Sequence, residues 1–492
     1  MPNQQSSYRQ IMKATSIFGG VQVFNIMIQL IRSKVIAVLL GPAGMGVIGL
    51  LNSTISLVTS VSNFGLGTSA VRDISEADAS GNREKVQETV SVFRTLVWGT
   101  GILGMMLMLI LAPWLSQLTF GSEEYTVPFR LLSVTLLLAQ LTAGQSALLQ
   151  GLRKIQWMAK AGVLSSTLGL AGTLPLYYFF GMQGIVPGLV VTAVIVFGIE
   201  SFYARKVRMQ TKLLPFPKAL QSGKYMLQLG FMLSLSGLIT VAASYLVRIF
   251  ISKFGNVAEV GLYNAGFSIV GVYVGMVFTA MSTDYFPRLS GVNSEPQKYN
   301  PLINQQSETA ILLLSPLICA FLIFINWGII ILYSEQFLPI TEMIQYSMLG
   351  IYFKALSWSM AFLILAKGDS RAFFWNELLA NLYLLILNCT GYYLDGLRGL
   401  GISFLIGYLL YFIQIFYFVK WKYGFVYSKE IPVLLVQQIP LGMSCFLLYF
   451  FTEGWIMYTL GSILILISAG ITLYRMNKTM NVLEFIKSKI KK

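Results

Sequence analysis

Apolar stretches of about twenty residues recur along the whole of this chain, separated by short polar segments. An α-helix needs about 20 apolar residues to cross roughly 30 Å of hydrocarbon. Hydrophobic residues make up 55% of the sequence and charged residues only 11%, which is too few charges to cover a water-soluble surface of this size. The sequence therefore predicts an all-α integral membrane protein and excludes a water-soluble globule.

The apolar stretches predict fourteen transmembrane helices joined by short loops. The longest outer loop runs only from Pro113 to Pro128 and carries few charged groups, so we expect no soluble catalytic domain and no enzyme activity. The predicted spans are 14–38, 46–70, 91–112, 129–149, 161–181, 184–204, 227–251, 262–286, 308–332, 341–366, 372–393, 399–419, 432–451 and 455–474.

The distribution of positive charge predicts the orientation in the membrane. The net charge is +15, and most of the 35 lysines and arginines fall in alternate loops, on the same side as both termini. Cytoplasmic loops of membrane proteins are enriched in these residues. We therefore expect both termini in the cytoplasm, and lipid rather than nucleic acid as the partner of the basic residues.

Several kinds of chemistry are disfavoured by the composition. Histidine is absent, and the three cysteines lie inside apolar runs without the spacing of metal ligands. No phosphate-binding loop of the G-x-x-x-x-G-K-[ST] type occurs, so direct ATP hydrolysis is not expected. We predict no metal and no cofactor.

An internal repeat divides the chain. Arg32 aligns with Arg248 and Arg72 with Arg288 at the same separation of 216 residues, and the predicted helices around them align in order. Since each copy holds six spans, both copies enter the membrane the same way round. We predict two pseudo-symmetric six-helix lobes around a central cavity, a plan typical of transporters. The predicted segments are an N-terminal lobe at 1–208, a C-terminal lobe at 209–430, two additional helices at 431–474 and a basic amphipathic tail at 475–492.

Four predicted helices carry a polar stripe at helical spacing, which lipid cannot satisfy. These stripes make their amides and hydroxyls candidate ligands for a polar substrate. The stripes are Gln22, Asn25, Gln29 and Arg32 in helix one; Asn52, Ser56, Thr59 and Asn63 in helix two; Ser234, Gly237, Thr240, Ser244 and Arg248 in helix seven; and Glu377, Asn381 and Asn388 in helix eleven.

Arg32, Arg248 and Lys354 lie inside predicted spans, where a cation costs at least about 2.5 kcal/mol on insertion scales. Arg32, Arg248 and Lys354 should therefore face a cavity or a partner, although the two arginines lie near span ends where long side chains also reach headgroups. We expect Glu377 to pair with Lys354. Guanidinium groups suit phosphate oxygens, so the three cations predict an anionic ligand.

Two further arginines occupy equivalent places in the repeat. Arg72 and Arg288 end helices two and eight at the inner side, where they suit an inner gate, a pyrophosphate contact or a plain interfacial anchor.

The stretch VIAVLLGPAGMGVIGLLNSTISLVTSVSNFGLGTSAVRDIS at 35–75 resembles the first helical hairpin of polysaccharide-transport flippases. These are the Wzx-like branch of the multidrug/oligosaccharidyl-lipid/polysaccharide exporter superfamily, and ALLQGLRKIQWMAKAGVLSS at 147–166 is similar to their loop between helices four and five. The resemblance implies a flippase of the bacterial inner membrane. Its substrate would be an undecaprenyl-pyrophosphate-linked oligosaccharide, such as an O-antigen unit, moved by alternating access, and its neighbours would include polysaccharide polymerase and assembly proteins. Arg32 matches the basic residue that members place late in helix one.

Two alternatives remain at this stage. A cation-coupled drug antiporter of the same superfamily would need a carboxylate deep in a lobe, for which Glu377 and Asp284 are the candidates. A membrane polymerase or ligase would need catalytic groups in a large outer loop, where this chain has only Glu123, Glu124 and Arg130 nearby.

Overall fold

The computed structural model describes the backbone of residues 2–209 and 211–480, and their side chains except at 2–19, 233, 236, 272, 273, 283, 479 and 480. The greater part of the predicted basic tail therefore lies outside the described residues. Every regular element in the described ranges is helical.

The helices are α1 (Pro2–Ser62), α2 (Leu66–Ala79), α3 (Arg83–Phe120), α4 (Thr126–Gly151), α5 (Ile155–Phe180), α6 (Ile185–Arg205), α7 (Phe216–Ser222), α8 (Lys224–Phe254), α9 (Val257–Ser268), α10 (Gly275–Gly291), α11 (Pro296–Leu332), α12 (Thr341–Ala366), α13 (Ser370–Tyr423), α14 (Glu430–Phe451) and α15 (Gly454–Met480). Short 3₁₀ turns at Gly181–Gly184 and Glu335–Ile340 and a π turn at Ile269–Tyr273 connect some of them.

Eleven continuous helical stretches of the described chain are long and apolar enough to cross a membrane. Three of them are divided by a break, at Gly41 in α1, at the turn between α5 and α6, and at Asp395 and Gly396 in α13. The described residues thus contain fourteen helical spans, which confirms the predicted all-α membrane fold.

The predicted second span is wrong at its C-terminal end. It was placed at 46–70, but α1 ends at Ser62 and a separate helix begins at Leu66. The Asn63 carboxamide oxygen accepts a hydrogen bond from the backbone N–H of Gly65 at 2.9 Å, and Gly65 has φ 59°. A left-handed residue ends the α-helical path, and glycine adopts it without steric cost.

The first compact unit comprises Met1–Gly261. Apolar side chains of α2, α3 and α4 form a buried core that also includes Ala219 of α7 and Met226 of α8. Residues 209–261, which the repeat assigns to the C-terminal lobe, therefore group with the first unit. The backbones of α8 and the α1–α2 junction touch, since a Cβ built on Gly230 would lie 2.4 Å from the carbonyl oxygen of Phe64.

The second compact unit comprises Leu262–Lys492. Its buried core joins α10, α11, α12 and α13 through residues such as Leu289, Ile303 and Leu363. The two additional helices are α14 and α15, and they pack on α11 inside this unit. The Ser468 hydroxyl donates to the Gln438 side chain at 2.7 Å between them.

The internal repeat has counterparts in the backbone. Gly181 has φ 53° and ψ −128°, and Gly396, 215 residues later, has φ 53° and ψ −136°. Arg153 and Gly368, also 215 residues apart, have φ of 54° and 69°. The two halves therefore make the same unusual turns at equivalent points, although the lobe boundary at 208 stays a prediction.

Candidate functional site

One part of the polar stripe of helix one bonds to a neighbouring helix, and the other part makes no hydrogen bond to the described residues. The Ser166 hydroxyl of α5 donates to the Asn25 side chain at 2.9 Å, so Asn25 helps to join α1 to α5. Gln29 is exposed, and Arg32 is half-buried with no hydrogen-bond or ion-pair partner in the described part of the chain. Gln29 and Arg32 keep the polar groups that a ligand could use.

The stripe of helix two is divided in the same way. Asn52 is exposed, whereas the Asn63 side chain accepts from the Gly65 backbone and stabilises the turn before α2. Of these two amides, Asn52 is the better placed for a substrate.

The predicted arginine of helix seven folds back on its own helix. The Arg248 Nη1 atom donates to the Ser244 carbonyl oxygen at 2.9 Å and also contacts the Ser244 hydroxyl. Two oxygens of Ser244 thus hold the guanidinium group against its own helix, and Arg248 is half-buried.

Lys354, midway along α12, lies among aromatic rings. Its Nζ atom is 5.1 Å from the ring centroid of Tyr408, 5.7 Å from that of Phe404 and 5.8 Å from that of Phe278. A cation within about 6 Å of a ring face is attracted by the ring quadrupole. The three rings come from α10 and α13, so two neighbouring helices enclose this charge. We call Lys354 with these rings the lysine cage.

The predicted ion pair between Lys354 and Glu377 is wrong. Among the described residues Glu377 forms no salt bridge, and its Oε1 atom accepts a hydrogen bond from the Tyr411 hydroxyl at 2.9 Å. Asn381 donates to the Glu377 backbone carbonyl at 2.9 Å. The lysine faces aromatic rings of α10 and α13, and the carboxylate accepts from a tyrosine of α13.

Asp284 is not a deeply buried acid, contrary to the sequence-based prediction. Its carboxylate pairs with Arg288 one helical turn later at 3.1 Å, and the two side chains are 76% and 54% exposed. An exposed ion pair of this kind contributes little to stability.

A cavity of about 450 Å³ lies beside Arg72 in the first unit, between α2, α3 and the start of α8. Its lining includes two basic side chains, Arg72 and Lys85, and three acidic ones, Asp73, Glu76 and Glu88. Burial raises the pKa of Asp73, and the positive charge of Arg72 opposes that rise. More acids than bases surround this cavity, which favours a structural or gating role for Arg72 over a pyrophosphate contact.

The sequence interpretation missed Glu200. This α6 residue is only 8% exposed, and its Oε2 atom has no hydrogen-bond partner. α6 carries none of the predicted polar stripes, so Glu200 is not among the predicted site residues. A single acid in an otherwise apolar span would have been a sufficient signal.

Fold and site together define an all-helical integral membrane protein of the transporter class, with cationic and polar side chains held inside each unit. The chain belongs to a family described as polysaccharide biosynthesis proteins, whose sequence model matches residues 35–342. The predicted resemblance to proteins of polysaccharide biosynthesis is thereby confirmed.

Known proteins of similar sequence and structure agree with this assignment. The Lipid III flippases of Escherichia coli (strain K12) and Shigella flexneri are each 21% identical over 397 residues, covering 78% of this chain and 92% of the relative. The fold is similar to that of the Lipid II flippase MurJ in its inward closed conformation, with a TM-score of 0.69, 14% identity, and coverage of 94% of this chain and 99% of that one. It is also similar to an inward-facing multidrug resistance MATE family transporter, with a TM-score of 0.65, 16% identity, and coverage of 83% and 95%.

Proposed function

We propose that this chain is a flippase that moves an undecaprenyl-pyrophosphate-linked oligosaccharide from the cytoplasmic to the periplasmic leaflet of the bacterial inner membrane. The family and the two flippase relatives support a lipid-linked saccharide as the substrate class. An O-antigen unit is the repeat unit that we propose, with alternating access as the mechanism.

The lysine cage is the observation that carries this proposal. Lys354 lies mid-span, half-buried, without a carboxylate partner among the described residues. Ring faces offset about 0.5–2 kcal/mol of the cost of such a charge but supply no negative charge. A phosphate group of the substrate would supply it.

The side chains around the cations suit the sugar part of a lipid-linked oligosaccharide. The cage rings Phe404 and Tyr408 offer faces for sugar rings, and Asn381 offers an amide for hydroxyl groups. In the first unit, Arg32, Gln29 and Asn52 offer the same combination of guanidinium and amide groups. We propose these six residues as substrate contacts.

The test is replacement of Lys354 in a strain that lacks its own flippase. We expect Lys354→Ala and Lys354→Met to abolish complementation while protein accumulates at the wild-type level, and Lys354→Arg to retain part of it. Lys253→Ala, which removes an exposed lysine at the end of α8, is the matched control and should complement fully. Failure of the wild-type protein to complement would overturn the flippase proposal. Normal complementation by Lys354→Met would overturn the role of Lys354, since Met keeps the packing but not the charge.

A second function is favoured by the Glu377–Tyr411 contact. A half-buried carboxylate that accepts from a tyrosine is a group that could take up a coupling cation in a drug antiporter. Such an antiporter would export a cationic dye in exchange for an ion that enters down its own gradient. Glu377→Gln would stop that export. Dye export lost in Glu377→Gln but kept in Lys354→Met would favour the antiporter over the flippase.

A further inference from the structure

Glu200 is a buried acid without a positive partner. Its residue exposure is 8%, its Oε2 atom makes no hydrogen bond, and no lysine or arginine pairs with it in the described part of the chain. A buried carboxylate without compensation costs several kcal/mol, so such a group binds a positive charge or loses its own.

Two serine hydroxyls of α5 and α6 are unsatisfied as well. Ser165 of α5 is 7% exposed and Ser201 of α6 is 9% exposed, and neither Oγ atom has a hydrogen-bond partner. Buried polar atoms are nearly always paired in folded proteins. Three unpaired oxygens in one helical hairpin therefore indicate that a bound species completes them.

The register of the hairpin brings these oxygens to one level. α5 and α6 are antiparallel, and a Cβ on Gly188 would lie 2.9 Å from the Tyr177 ring. Counting twelve residues from this pair toward the inner ends of the two helices reaches Ser165 on α5 and Glu200 on α6. A third helix contributes Ser146 of α4, whose hydroxyl interacts with the Glu200 carboxyl group.

We propose that Glu200, with the hydroxyls of Ser165, Ser201 and Ser146, binds one small alkali cation of the Na⁺ type inside the first unit. Carboxylate and hydroxyl oxygens are hard ligands, which hard cations prefer. Oxygens that share a cation need not bond to one another, and Glu200 Oε2, Ser165 Oγ and Ser201 Oγ have no hydrogen-bond partner. A single carboxylate matches a single positive charge, so the cluster suits a monovalent better than a divalent ion.

The site is separate from the lysine cage and from Glu377, which belong to the second unit. Its occupancy requires no substrate, so it can be tested by binding alone. A failure of the cation site would therefore leave the flippase proposal intact, and a failure of flipping would leave the cation site intact.

The experiment measures equilibrium binding of radioactive sodium to the purified full-length protein in detergent, with choline as the balancing cation. We expect one sodium ion fewer per protein in Glu200→Gln than in the wild type. Ser165→Ala and Ser201→Ala should each weaken that binding by about tenfold or more. The matched control is Glu124→Gln, which removes an exposed carboxylate in the loop before α4 and should bind as the wild type does.

Thermal unfolding in sodium and in choline gives a second measure that does not depend on the glutamate variant being stable. A ligand that binds only the folded state raises the unfolding temperature. We expect a smaller sodium-dependent rise in Ser165→Ala than in the wild type. Equal sodium binding by the wild type and Glu200→Gln would overturn the proposal, and would mean that water or a proton satisfies the carboxyl group.

Discussion

Arg72 donates a hydrogen bond to the Tyr225 hydroxyl, with Nη1 3.3 Å from the oxygen, and its guanidinium carbon lies 5.7 Å from the centroid of the same ring. The bond raises the pKa of Arg72 above its ordinary value. It joins α2 to α8, which is the helix that the repeat makes the first of the C-terminal lobe. Arg72 therefore holds a neighbouring helix, and an inner gate made by this contact would open only if α8 moved away from α2.

Linking these two positions covalently should stop transport. In a double variant, Arg72→Cys with Tyr225→Cys, a short bis-maleimide would hold α2 and α8 together. We expect complementation, or flipping in reconstituted vesicles, to fall by about tenfold or more, a change of at least about 1.4 kcal/mol in the barrier. The two variants that carry only one of these replacements, treated with the same reagent, are the controls. Unchanged transport in the linked protein would show that α2 and α8 move as one body.

Gly230 should tolerate no side chain. A Cβ there would lie 2.4 Å from the Phe64 carbonyl oxygen and 2.9 Å from that of Gly65, and backbone atoms cannot move aside as a flexible side chain can. We expect Gly230→Ala to destabilise the protein by about 1–3 kcal/mol in thermal unfolding monitored by tryptophan fluorescence. Gly237, on the same helix, has nothing within 4 Å of its Cβ position. Its replacement by alanine should be neutral or stabilising by up to about 1 kcal/mol, and equal losses in both variants would contradict the close-contact explanation.

The lysine cage should depend on the ring of Tyr408 and not on its hydroxyl group. Tyr408→Phe keeps a ring face 5.1 Å from the Lys354 ammonium, whereas Tyr408→Ala removes it. We expect Tyr408→Ala to lower stability by about 3–5 kcal/mol, of which about 0.5–2 kcal/mol is the loss of the cation–ring attraction.

A double-mutant cycle separates that attraction from packing. If Lys354→Met reduces the cost of Tyr408→Ala, the difference measures the contact between charge and ring. Additive effects of the two substitutions on the free energy of unfolding would mean that the rings only fill space. Tyr408→Phe, with the ring retained, should behave nearly as the wild type.

The connection between α12 and α13 should lose stability in acid. Asp369 accepts a hydrogen bond from the Ala372 backbone N–H at 3.1 Å, and its carboxylate lies 2.5 Å from Lys422 Nζ. The hydrogen bond from Lys422 holds the pKa of Asp369 below its usual range. A depressed pKa in the folded state contributes stability that is present above the unfolded pKa of about 3.9 and is lost as pH falls through the lower folded value.

Asp369→Asn should therefore unfold at a lower temperature than the wild type at pH near 7, and the difference should shrink in acid as the carboxylate of the wild type is protonated. Asp78→Asn, at an exposed carboxylate near the end of α2, is the control and should follow the wild-type pH profile. An Asp369→Asn variant that lost the same stability at every pH would show that the side chain acts by packing alone.

Much of the fold could be read from local composition. The insertion of a segment into lipid depends mainly on the summed hydrophobicity of its own residues, so fourteen spans and the repeat were predictable. The break before α2 was not, because it depends on a contact between Asn63 and Gly65 inside a run that remains apolar enough to continue. The grouping of α7 and α8 with the first unit also depends on contacts that no local pattern contains.

The candidate site could be predicted only in part. Spacing identified Lys354 as a mid-span charge but assigned it to Glu377, a residue that instead accepts from Tyr411. It identified Asp284 as a buried acid, although Asp284 is exposed and paired with Arg288, and it missed Glu200. The two wrong assignments concern which way a helix is turned, which sequence periodicity gives relative to the helix itself and not relative to its neighbours. The lone acid of α6, by contrast, is visible in the sequence.

By itself the sequence determined that this protein lies in a membrane, how many times the chain crosses it, and that its two halves share one plan, because the free energy of transfer into lipid is set residue by residue along the chain. The tertiary structure alone decided that aromatic rings enclose Lys354, that Tyr225 holds Arg72 and that the buried Glu200 of α6 interacts with Ser146 of α4. Those relationships join residues from different helices, and the rotation and register of packed helices depend on all of their side chains together.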